Sequence, residues 1–131
     1  MGRLRTIRRV GRVQDTITGF LQAENERDWE SYGRYLDPRV EWTIYGPPQR
    51  RVVRGRDAYV DAMKAAYAAN ASTFEIEAFA VDEEEGLALV EFNLDGRRSV
   101  CVFELRDGQI IREREYFDDT SWKQHGRVAP G

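Results

Sequence analysis

The chain has 131 residues, 41% hydrophobic and 33% charged, with 23 acids against 20 bases and a net charge of −3. That length fits one domain that stabilises itself without disulfides or metal, and the acidic balance argues against nucleic acid as the main partner. A lone cysteine, Cys101, allows no intramolecular disulfide and suits a reducing, cytoplasmic setting, and no apolar run approaches the ~20 residues of a membrane helix.

The chain opens on MGRLRTIRRVGR, which carries Arg3, Arg5, Arg8, Arg9 and Arg12. An Arg-rich amphipathic start is a transit peptide, or else a solvated helix face or a frayed terminus; the segment lacks the serine enrichment of the first. From about Thr6 to Arg27, Ile7, Val10, Val13, Ile17, Phe20 and Leu21 recur at three- and four-residue steps, which predicts an amphipathic helix. A second helix follows, with Asp28 as N-cap and Trp29, Tyr32 and Leu36 as its apolar stripe. Asp37-Pro38 ends it, because proline disfavours helical backbone in the residue before it. Val40 to Tyr45 reads as a strand, Gly46-Pro47-Pro48 as a turn, and Arg50 to Val53 as a short second strand. Gly55-Arg56-Asp57 opens a third helix to about Asn70, with Tyr59, Met63, Ala66 and Tyr67 on one face.

The rest reads as a meander of strands: Thr73–Val81, Leu87–Leu94, Arg98–Leu105 and Gln109–Phe117. Asp95-Gly96 and Asp107-Gly108 separate the last three, and Asp-Gly supplies the positive φ values of tight hairpins. This order predicts an α+β fold, helices gathered on one face of a mostly antiparallel sheet. The last strand raises a question of parity. One face holds Ile111, Glu113, Glu115 and Phe117; the other holds Ile110, Arg112, Arg114 and Tyr116. A guanidinium cannot shed its charge whereas a carboxylate can take a proton, so the first set is expected to face inward. The second set, with Glu91 and Glu104, then makes an outer face mixed enough for a homodimer interface.

Three stretches, FLQAENERDWESYGRYLDPRVEW, GRDAYVDAM and CVFELRDGQIIREREYFDD, resemble the SnoaL-like branch of the NTF2-like superfamily, and the tail is also similar to that of limonene epoxide hydrolases. The resemblance spans about Ile17 to Asp119 within a domain of residues 1–131, whose core is 6–119 and whose tail is 120–131. It implies a cone-shaped barrel: a curved sheet packed on three helices around an apolar pocket, often dimeric through the outer sheet face. The ketosteroid isomerase pattern falls on Phe20, Trp42 and Cys101, none of which can do that chemistry. The Arg-x-Asp pair of the epoxide hydrolases falls on Phe92 and Leu94. Only the last-strand acid is kept, as Glu115, which also matches the acid/base aspartate of SnoaL-type cyclases. Their polar helpers correspond to Ser99 and Cys101.

Each residue also has a plainer reading. Glu115 is either a pocket acid/base, its pKa raised by desolvation, or a surface partner of Arg114 or Arg112. Glu113, roughly 6.5–7 Å along the strand on the same face, is either a second pocket acid or a rim residue. Arg97 either turns inward to neutralise one of them or lies in solvent. Trp42, Phe92, Phe103 and Phe117 form either core or a cavity wall. Cys101 is expected to be a small buried hydrophobe, as His125, the only histidine, lies in the tail; one His and one Cys argue against a His/Cys zinc site. Glu83-Glu84-Glu85 is expected to be a solvated loop.

The expectation is an enzyme doing cofactor-independent acid/base chemistry (cyclisation, isomerisation, dehydration or hydrolysis) on a small hydrophobic substrate. Glu115 and Glu113 are its candidate catalytic residues. Trp42, Phe20, Phe92, Ser99, Cys101, Phe103 and Phe117 are its candidate substrate contacts, and no metal is expected. The alternative is a non-catalytic domain that binds an apolar ligand or dimerises.

Overall fold

The computed structural model describes residues 2–46, 49–69 and 71–118, with side chains from residue 11 onward. Helix α1 runs Gly2–Glu26 and α2 Trp29–Arg34; strands β1 (Leu36–Tyr45) and β2 (Arg51–Arg54) precede α3 (Arg56–Tyr67). Strands β3 (Glu75–Asp82), β4 (Leu87–Leu94), β5 (Arg97–Arg106) and β6 (Gln109–Phe117) complete the chain order. They form one open, curved six-stranded sheet in the order β2-β1-β6-β5-β4-β3. The β1·β6 pair is parallel and every other pair antiparallel. An α+β fold with three helices on a mostly antiparallel sheet is what the element order predicted.

The helices meet the sheet through one apolar cluster. Val13, Ile17, Phe20 and Leu21 of α1 are buried against Val40 and Trp42 of β1, Ala88 and Val90 of β4, and Phe103 of β5. Apolar residues recurring at helical spacing on one side and at strand spacing on the other explain this two-layer packing. Phe20 stacks on Tyr32 of α2 at 4.1 Å between ring centroids and meets Phe103 edge-on. Arg27 stops α1 with φ +60. Its guanidinium takes the Glu24, Asn25 and Ser72 carbonyls and lies 3.9 Å above the Tyr67 ring. Asp28 then caps α2, its side chain accepting from the Ser31 N–H at 3.2 Å. Asp95-Gly96 and Asp107-Gly108 form the two hairpin turns, all four residues at positive φ, as type I′ turns require.

Several local expectations are corrected. Leu36 is not the end of the α2 stripe; it begins β1, which starts four residues before the expected Val40. The pairing of β1 with β6 slips between Leu36 and Glu41, and Pro38, which has no N–H to give a ladder, sits in that slip. In β6 the inward residue at the first position is Ile110, fully buried, rather than Ile111. Leu105 pairs with Ile110 but Glu104 with Arg112, so Ile111 is the extra residue of a β-bulge. Beyond the bulge, Glu113 and Glu115 face inward as expected, and Ile110 is lost to the outer face. Glu83 is not simply solvated: its carboxylate accepts the Val13 and Gln14 N–H groups of α1 at 2.8 and 3.1 Å. His125, Pro47 and Pro48, and the side chains of the N-terminal arginines before Arg12, lie outside the described residues.

Candidate functional site

A cavity of about 340 Å³ opens between the concave sheet face and the three helices. Both acids singled out in the sequence line it, with the aromatic residues Phe20, Trp42, Phe92, Phe103 and Phe117, and with Ser99 and Cys101. Strand pairing explains the convergence: Ile44, Glu115, Cys101 and Val90 form one transverse row across β1, β6, β5 and β4, and Phe117, Ser99 and Phe92 form the row beside it. Phe117 lies toward the open end and is 39% exposed.

The two acids of β6 sit in different surroundings. Glu113 is 4% exposed and accepts a hydrogen bond from the Tyr59 hydroxyl of α3. Burial, and after it the charge of Glu115, pushes Glu113 up to about 8; the Tyr59 and Cys101 hydrogen bonds oppose that rise. Glu115 is half-buried and accepts from the Trp42 indole Nε1 at 3.2 Å. Burial raises its pKa too, against hydrogen bonds from Ser99, Trp42 and Cys101 that favour the charged form. The Cys101 thiol lies against both carboxyls, and burial together with those neighbours pushes it well above its ordinary range, so it stays a thiol. Arg97 lines the cavity but is exposed; among the described residues it forms no ion pair with either acid.

A third acid went unread in the sequence. Glu24 of α1 is 9% exposed, lines the cavity, and accepts from the Tyr32 hydroxyl at 2.8 Å and the Tyr67 hydroxyl at 2.6 Å. Burial raises it to about 7 against those two hydrogen bonds. A signal was available: Glu24 follows Phe20 by four residues and Leu21 by three, which places a charge inside the apolar stripe. Tyr32, Tyr59 and Tyr67 lay on apolar stripes as well, where each hydroxyl needed a buried partner.

Cys101, Glu113 and Glu115 place one potential metal ligand each within 4.8 Å of one another. All three are pushed toward their protonated forms, which do not bind metal, and both carboxyls already receive protein donors. The donor set thus fits proton chemistry better than ligation. No described helix is long and apolar enough to cross a membrane.

Comparison with known proteins agrees with this architecture. A cystatin-like protein of unknown function from Methylobium petroleophilum superposes with a TM-score of 0.74 at 18% identity, covering 83% of this chain and 77% of its own. Bal32a, from a soil-derived mobile gene cassette, also gives 0.74 at 17% identity over 88% and 97%. A Bacillus subtilis protein provisionally described as an isomerase gives 0.69 at 21% over 88% and 93%. These identities carry the fold alone. No curated protein sequence matches the chain. The SnoaL-like domain family model matches residues 17–113. With that match covering most of the sequence, and with a concave sheet closed over an acid-lined cavity, the chain belongs to the SnoaL-like domain family of NTF2-like folds.

Proposed function

We propose that the protein is an acid/base enzyme that moves protons on a small apolar substrate, with no cofactor, in isomerisation, cyclisation, dehydration or hydrolysis. The observation that carries this reading is a pair of inward carboxyls on β6 whose surroundings differ. Three hydrogen-bond donors, Ser99, Trp42 and Cys101, favour the ionised form of Glu115. Deeper burial and the neighbouring charge hold the proton on Glu113. Burial raises both carboxyls, and with three donors on Glu115 the first ionisation falls there and leaves the proton on Glu113, a base and an acid at one pH. Glu115 takes a proton from the substrate, and Glu113, steadied by Tyr59, donates one. Phe20, Trp42, Phe92, Phe103 and Phe117 contact the apolar body of the substrate and keep water out, which strengthens every polar interaction inside. The neighbour provisionally described as an isomerase fits the same class of chemistry.

Apolar side chains on the convex sheet face, Leu89 at 47% and Tyr116 at 42% exposure, support a homodimer formed through that face.

The test is solvent deuterium exchange. The protein is incubated in heavy water with enolisable apolar ketones, and deuterium at the carbon beside the carbonyl is followed by NMR. Exchange above the buffer rate is expected, falling by about 10²–10⁴ in Glu115→Gln. Binding of the ketones without exchange, or exchange untouched by Glu115→Gln, would contradict the reading.

A further inference from the structure

Two arginines on the concave face remain unused by the chemistry above. Arg51 pairs with Ile44, and Ile44 is buried and lines the cavity. Residues directly opposite in an antiparallel pair point to the same side, so Arg51 faces inward. Arg97 is two residues before Ser99 and four before Cys101, both buried on the inner face, and strand alternation gives it the same side. Both arginines line the cavity and both are exposed, which puts them at its opening.

Ion pairs hold several arginines of the convex face. On that face Arg98 pairs with Glu77 and Glu91, Arg112 and Arg114 with Glu104, and Arg54 with Glu41, while Arg39 and Arg106 have no ion pair among the described residues. Among the described residues, neither Arg51 nor Arg97 has an ion pair or a side-chain hydrogen bond. The strand rows place Arg51 level with Glu115, two strands away at about 9–10 Å between backbones. Arg97 lies two positions beyond the Ser99–Phe117 row, toward the same open end. The cavity therefore has an apolar middle, proton-bearing groups inside, and guanidinium donors at the opening. Its volume of about 340 Å³ admits one small molecule and no long chain.

We infer that the ligand is a small apolar acid whose body fills the aromatic cavity and whose carboxylate is held at the opening by Arg51 and Arg97. The inference rests on the cavity being the substrate site and narrows the substrate class. A guanidinium offers a planar fork that matches a carboxylate. The carboxylate stays at the wet end, where its desolvation is small, and the apolar body supplies most of the affinity.

The test is calorimetric binding of benzoate, cinnamate, naphthoate and octanoate, each beside its primary amide, to the full chain and to Arg51→Gln, Arg97→Gln and the double variant. For whichever bodies fit, the acid should bind about tenfold more tightly than the amide. The double variant should lose that preference, keep its affinity for the amide and keep its melting temperature. Added salt should weaken the acid and leave the amide unchanged. Acids that bind no better than their amides, acids that fail to bind at millimolar concentration, or a preference that survives in the double variant would overturn the inference. The outcomes separate it from the catalytic reading. An acid preference without deuterium exchange defeats only the chemistry; exchange without an acid preference defeats only the clamp.

Discussion

Glu113 and Glu115, two positions apart on β6, converge on the Cys101 thiol so that one oxygen from each and the sulfur lie within 4.8 Å of one another. Two carboxylates at that separation inside an apolar cavity cannot both ionise cheaply. Their titration belongs to the pair.

A stability profile follows from this. The folded-state pKa of Glu113 is raised to about 8 and that of Glu24 to about 7. Between the ~4.3 of a free glutamate and these values, the folded state holds more protons than the unfolded one. The contribution of these groups is therefore full only below ~4.3, falls as pH rises through that window, and is gone above about 8. The melting temperature should fall across that range. Glu113→Gln should raise stability by about 2 kcal/mol near pH 9 and change it little at pH ~4.3. Thermal melts read by circular dichroism at both pH values check it.

The tyrosines on Glu24 carry a second prediction. Tyr67 and Tyr32 both donate to that carboxyl. Tyr67→Phe removes one donor and should cost about 1–2 kcal/mol. It should also move the Glu24 titration further up, since a donor to the charged form holds the pKa down. Denaturant unfolding at neutral pH measures the first effect, and carboxyl NMR the second.

The convex face gives a third. Leu89 and Tyr116 are exposed apolar side chains on it. A dimer mass by light scattering at micromolar concentration is expected, and Leu89→Asp should halve that mass without changing the melting profile of the monomer. A monomer mass for the unaltered chain would remove the proposed interface.

The sequence was most informative where a single physical rule dominates. Asp95-Gly96 and Asp107-Gly108 demand positive φ, and both form hairpins. The inward placement of Glu113 and Glu115 followed from comparing the costs of burying carboxylates and guanidiniums. It was least informative where distant pairing decides. The bulge that turns Ile110 inward exists because β5 and β6 must shift register between Glu104 and Leu105, and β6 alone carries no sign of it. Pro38 looked like a helix stop, yet the parallel partner of β1 tolerates it at a slip in pairing. Glu24 went unread, although its spacing set it among Phe20 and Leu21.

The central claim is that the Glu113–Glu115 pair keeps a proton in the cavity at neutral pH. The measurement that tests it most directly is a carboxyl-carbon NMR titration of protein labelled at the glutamate side chain, with Glu113→Gln and Glu115→Gln to assign the signals. The account predicts that Glu113 keeps a protonated-form shift at pH 7 and titrates near 8, with Glu115 ionising before it and moving when Glu113 is replaced. If both signals titrate independently near the ~4.3 of free glutamate, the pair holds no proton to give and the account is wrong.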